Sequence, residues 1–141
     1  MLDPLFKPAI IEKPSRLYVD ASPIHGRGVF TSETIPAGSI IEKAPLVLIN
    51  KEDKELLKQT TLYHFYFVVQ DLKTPVALGL GYSSLYNHAC PSNAAYQIDL
   101  RRCIIIIKAC ELIEAKQEIT INYHGDPQDA SPVVFNNPPG L

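Results

Sequence analysis

Several ingredients are scarce in this chain, and each scarcity excludes something. The three cysteines, Cys90, Cys103 and Cys110, are odd in number and contain no CxxC pair, which argues against a disulfide framework or a cysteine-built zinc site and predicts a reducing compartment. Neither sign of charge prevails: 13 basic side chains face 15 acidic ones, for a net charge of −2. So weak a field does not favour capture of a nucleic acid backbone, and it tolerates a basic partner better than an acidic one. No apolar run approaches the length of a membrane span. In MLDPLFKPAI, Asp3, Pro4 and Pro8 interrupt the stretch where a signal peptide needs continuous hydrophobicity. The expected setting is the cytoplasm, or the nucleus in a eukaryotic or viral context. With 141 residues, 46% hydrophobic and 20% charged, the chain has the size and composition of one domain with a single core.

What is present is mostly β. LYVD at 17–20 and GVFTSE at 28–33 read as strands joined by the glycine-dependent connection PIHGRG, and IPAGSII turns the chain before a β-branched run. PLVLIN follows as another strand. KEDKELLKQT, entered through the capping residue Asn50 and opening with acids, predicts a short helix. LYHFYFVVQ is aromatic and β-branched and reads as a well-buried strand, and SSLYNHA as a single helical turn capped by Ser83 or Ser84. AAYQIDL, RR and CIIIIKA predict a hairpin whose second arm is apolar on both faces. In KQEITINY, alternation places Ile119, Ile121 and Tyr123 on a core-facing side and Thr120 and Asn122 on the other. The expected fold class is mainly β (α+β), several small sheets with one or two short helices. Residues 1–15 form an N-terminal extension, 16–125 the domain, and 126–141 a proline-rich tail in which Val133, Val134 and Phe135 alone have anything to dock.

Three stretches carry chemistry. In HGRGVF, Gly26 and Gly28 allow close backbone approach or positive φ, and Arg27 is free to face solvent; a plain turn between strands is the blander account. In YNHACPSN, the amide of Asn87 offers two donors and an acceptor, enough for both the ammonium and the carboxylate of an amino-acid-like ligand. Here the blander account is an asparagine closing a turn beside a satisfied core histidine, His88, with Cys90 a small buried apolar residue and Pro91 to Asn93 simply turning the chain. Tyr96 and Tyr123 are both expected to look inward, where a phenol needs a partner.

The succession HGRGVF, IPAGSII, YNHACPSN with Tyr96 beyond it, and EITINY resembles the SET-domain protein lysine methyltransferases across residues 16–125. The first motif is similar to the family's glycine turn, the third to its Asn-His-x-Cys-x-x-Asn box, the last to its Glu-Leu-Thr-x-x-Tyr strand. Departures exist: Ser84, Leu85 and Tyr86 replace an Arg-Phe-Ile-like lead-in, Pro91 sits one place early, and Asn122 stands where aspartate is common. The resemblance implies a β-clip fold with a knot-like crossing in which the segment holding Tyr123 passes a loop near Asn87. It also implies S-adenosylmethionine as cofactor, bound by the backbone around Gly26, Arg27 and Gly28, by Asn87 and by the backbone of His88. Tyr123 becomes the catalytic-centre phenol and Tyr96 a lining of the lysine channel. Phe135 of the tail, or a second subunit in a homodimer, closes that channel.

The implied reaction is transfer of methyl groups to the side-chain amine of a lysine in a protein substrate, a histone or another basic protein, with no metal, nucleic acid or membrane involved. An in-line displacement needs mainly alignment and exclusion of water. A target lysine, with a reference pKa of about 10.4, loses its proton more readily in an apolar channel beside a cation. Two other readings remain: an inactive SET-like module that binds a peptide, and a small carbohydrate-binding β-clip domain, against which EITINY and the Asn-His box both count.

Overall fold

A computed structural model describes residues 9–71 and 73–133. Among the described residues nine strands form two sheets: β1 (Leu17–Ala21), β2 (Arg27–Thr31), β9 (Glu118–Ile121) and β6 (Asn87–His88) in one, and β4 (Tyr66–Val68), β5 (Val76–Gly79), β3 (Ile40–Ile49), β8 (Ile104–Ala109) and β7 (Ala94–Asp99) in the other, in those orders. The mainly β expectation holds. The predicted strands at 17–20 and 28–33 form the β1–β2 hairpin, and AAYQIDL and CIIIIKA pair antiparallel as β7 and β8 from Ala94↔Ala109 to Asp99↔Ile104. Ile104, Ile105 and Ile107 are buried; since the neighbours Ile104 and Ile105 point to opposite faces, β8, central between β3 and β7, is covered on both.

IPAGSII and PLVLIN merge into the one long strand β3, bulged between Ile40 and Glu42. The extra residue breaks alternation, so Ile41 and Glu42 are both buried. Helix α1 (Lys51–Leu57) begins as expected at Asn50, whose side chain accepts from the Asp53 amide at 2.7 Å. None of its residues is buried.

Two local expectations fail. LYHFYFVVQ is no buried strand: it becomes a 3-10 turn at Thr61–His64 and then β4. Among the described residues β4 is a sheet edge paired only with β5, and Val68 is exposed. SSLYNHA makes turns in place of a helical one, since Ser83 Oγ donates backward to the Leu80 carbonyl at 2.7 Å instead of capping forward.

β6 positions the site. It is only two residues long and runs parallel to β9, with Asn87 opposite Thr120 and His88 opposite Ile121. Beyond it the Ser92 amide donates to the Pro127 carbonyl at 3.1 Å. The Asn93 side chain donates to the Glu118 carbonyl at 2.8 Å and accepts from the Thr120 amide at 2.8 Å. Asn93 is therefore more than a turn residue; it is buried and acts as a strand neighbour for β9. The 87–93 segment and the chain from Glu118 to Pro127 thus hold each other at several points, the meeting that the expected crossing requires.

Candidate functional site

Asn87 is buried, and its Nδ2 lies 3.1 Å from the His25 carbonyl, 3.0 Å from the Arg27 carbonyl and 2.8 Å from Glu118 Oε1. Three oxygen acceptors around one atom fix the amide's orientation and occupy both its N–H groups. The sequence alone credits Asn87 with donors for a ligand carboxylate; the structure spends them on the glycine turn. Its Oδ1 accepts no hydrogen bond among the described residues, which leaves an acceptor suited to an ammonium. Arg27 is exposed and forms no ion pair among the described residues, so a guanidinium stands near for a carboxylate.

The two glycines have different reasons. Gly26 has φ of +49° with nothing close to its missing Cβ, so the turn's backbone demands it. Gly28 is buried in β2, and a Cβ there would strike the Glu118 carboxylate and come within 3.1 Å of Asn87 Nδ2. Glu118 and Ser22 are the site residues that sequence reasoning missed. Ser22 Oγ lies 2.9 and 2.8 Å from the two Glu118 oxygens and accepts from the Ile24 amide at 3.0 Å. The available signal was Gly28 itself, a glycine inside a strand, which marks close approach by another group.

The phenol Tyr123 follows β9. The strand ends at Ile121, and Asn122 turns the chain, its Oδ1 accepting from the His124 amide at 3.0 Å and its carbonyl from the Gly125 amide at 2.9 Å. Alternation therefore stops short of Tyr123, whose expected core-facing side becomes a ring 41% exposed. Only the hydroxyl turns inward, donating to the Tyr86 carbonyl at 3.0 Å. Thr120 and Asn122, predicted opposite the core, are buried as well: Thr120 meets Asn93, and the Asn122 side chain donates to the Asp129 carbonyl at 2.8 Å. Burial of the hydroxyl, and secondarily the Glu118 charge, raise the Tyr123 pKa, so the phenol stays protonated.

His88 Nδ1 accepts from the Tyr123 amide at 3.1 Å, and the two rings lie 5.2 Å apart. Desolvation, and then nearby His124, lower the His88 pKa, which keeps Nδ1 free to accept. Tyr96, half-buried, packs edge-on against Phe67 at 5.1 Å, and burial raises its pKa. Its hydroxyl lies 3.6 Å from where a Cβ on Gly125 would be, which brings it beside the turn that follows Tyr123. Behind these groups the Tyr86 hydroxyl donates to the buried Glu42 carboxylate at 2.8 Å, and the Tyr82 amide reaches the other Glu42 oxygen at 2.9 Å. A cavity of 280 Å³ at Glu42, also lined by Lys13, Pro14 and Tyr82, touches none of the predicted site residues. Cys90, expected buried, is exposed in the loop after β6. Phe135 lies outside the described residues.

The structure thus brings together Gly26, Arg27, Gly28, Asn87, His88 and Tyr123, with Tyr96 alongside. A model of the SET domain matches residues 26–124, from the glycine turn to the residue after Tyr123. The chain belongs to the SET-domain family. It is 36% identical over 99 residues to the Schizosaccharomyces pombe histone-lysine N-methyltransferase described as H3 lysine-37 specific; the match takes in 70% of this chain and 66% of that relative. The crystal structure of a provisionally named Plasmodium falciparum histone methyltransferase superposes with a TM-score of 0.65 at 32% identity, over 80% of this chain and 95% of that one. SET-family membership accounts for the β-rich architecture and for the meeting of the Asn-His box with β9.

Proposed function

We propose that this SET domain is a protein-lysine N-methyltransferase that uses S-adenosylmethionine. The carrying observation is that the Tyr123 hydroxyl is held by the Tyr86 carbonyl, one residue from Asn87. The phenol and the amide that would grip the methyl donor are therefore held side by side, although they come from segments far apart in the chain. Family membership and the two methyltransferase relatives support the reaction class.

The residues fit such a donor. Asn87 Oδ1 would take its ammonium, Arg27 is a partner for its carboxylate, and the backbone of Gly26, Gly28 and His88 would line its length. The donor supplies a methyl group on a sulfonium. The protein supplies alignment: Tyr123, protonated and fixed to Tyr86, would orient the amine and make weak CH···O contacts to the moving methyl. It is no general base, because its pKa is raised. The Tyr96 hydroxyl makes no hydrogen bond among the described residues and would line the lysine channel beside Phe67, with Phe135 or a second copy of the chain closing it. A basic protein tail, histone-like, is the substrate class, met in the cytosol or nucleus.

Calorimetric titration with S-adenosylmethionine and transfer of labelled methyl to histone peptides test this reading. Asn87→Ala should abolish donor binding. Tyr123→Phe should leave binding intact while turnover falls by about 100-fold or more. A wild type that binds donor but methylates no lysine in any basic protein would favour the inactive peptide-binding module.

A further inference from the structure

Glu118 lies in the strand motif EITINY, and its carboxylate sits at the glycine turn. Three observations converge on it. Ser22 Oγ bridges both its oxygens at 2.9 and 2.8 Å. Asn87 Nδ2 makes its shortest contact there, at 2.8 Å, against 3.1 and 3.0 Å to the turn carbonyls. Gly28 has no Cβ, and one would occupy the carboxylate's place. Ser22 in turn accepts from the amides of Ile24 and His25, at 3.0 and 3.3 Å. A single carboxylate thus ties the start of the turn, through Ser22, to the amide side chain of Asn87, which grips the end of the turn at the carbonyls of His25 and Arg27.

We propose that Glu118 is a positioning residue for the methyl donor: its carboxylate clamps the 22–28 turn against Asn87 and so sets the gap that receives the donor's amino-acid end. This rests on the methyl-donor reading above. With both Asn87 N–H groups drawn into the clamp, Oδ1 is presented outward in a single orientation. Losing the charge on Glu118 weakens the hold on Asn87 and Ser22 together, since hydrogen bonds to an ionised acceptor are the stronger kind.

The test uses the full chain as Glu118→Gln and Ser22→Ala, with two readouts: the dissociation constant for S-adenosylmethionine by calorimetry, and amide hydrogen exchange of the donor-free protein. In Glu118→Gln the dissociation constant should rise by about tenfold, the equivalent of one charge-assisted hydrogen bond. Exchange at Ile24 and His25 should quicken while Ile105 and Ile107 in β8 stay as protected as in wild type. A general loss of stability would instead quicken all four. Ser22→Ala, a half-buried loop position, should reproduce the local quickening and a smaller loss of binding even where Glu118→Gln does not fold. Wild-type affinity in both variants, with Ile24 and His25 still protected, overturns the proposal. Should wild type itself bind no donor while Glu118→Gln still loosens Ile24 and His25, the donor reading falls, and Glu118 is a structural tether without the positioning role.

Discussion

At the scale of single residues, the tightest point of the site is Gly28. Its Cβ position is taken by the Glu118 carboxylate, with Asn87 Nδ2 also near. Gly28→Ala should cost about 1–3 kcal/mol by overpacking, read as a shift in the denaturant midpoint. Pairing it with Glu118→Ala should recover part of that cost, and strict additivity in the double-mutant cycle would refute the clash. His88 gives a pH signature. Its folded pKa lies below the ordinary value, from desolvation first and His124 second. The unfolded chain therefore binds the proton more readily, and the stability tied to neutral His88 is complete above the unfolded value of about 6.5 and is lost as pH falls toward the folded one. Buried Glu42 runs the other way: desolvation raises its pKa, so its contribution is present at low pH and is lost as pH rises through the folded value. Melting curves between pH 5 and 8 for wild type and His88→Gln separate the two. The variant should lack part of the acid-side decline, and parallel curves would remove His88 from the account.

At the scale of elements, the box at 87–93 is a strand partner more than a loop. Asn93 meets both the carbonyl of Glu118 and the amide of Thr120, the two bonds a neighbouring backbone would make. Asn93→Ala leaves those buried groups without partners and should destabilise by about 1–3 kcal/mol. Asn93→Asp keeps the acceptor for Thr120 but sets a carboxylate against the Glu118 carbonyl, so it should rescue little; full recovery by aspartate would show that only the Thr120 bond counts. Sequence showed these elements unevenly. Strands β1, β2, β7 and β8 and helix α1 were legible because local patterning and caps decide them. β4 departs from the expectation because whether an aromatic run is buried depends on which strand lies beside it, and β4 is an edge among the described residues. Tyr123 turns only its hydroxyl inward and leaves the rest of the side chain part-exposed, which alternation could not show, since it does not announce where a strand stops. Asn87, His88 and Tyr123 were legible as a group through motif order, whereas Ser22 and Glu118 were hidden, being 96 residues apart and joined only by a side-chain bond.

At the scale of the whole molecule, the site exists only where the 22–28, 86–93 and 118–127 segments converge, and the chain leaving β9 is what finishes that convergence. It is fastened in steps: Pro127 accepts from Ser92 at 3.1 Å, the Asp129 carbonyl from Asn122 at 2.8 Å, and the Ser131 carbonyl lies 3.0 Å from His124 Nε2. The first two fastenings belong to the crossing; the third reaches the residue next to Tyr123. Cutting the chain before Ser131 therefore separates two functions of the tail. The crossing survives, so donor affinity and melting temperature should change little. His124 loses the Ser131 carbonyl, and the proposed closure of the channel by Phe135 goes with it, so peptide turnover should fall by roughly tenfold or more through misalignment of the amine. Phe135→Ala in the full chain distinguishes the two losses: if it alone reproduces the defect, the aromatic ring closes the channel, and if turnover stays whole, the His124 tether carries the effect. A truncated protein with wild-type turnover would mean that the tail beyond Ala130 has no part in closing the site.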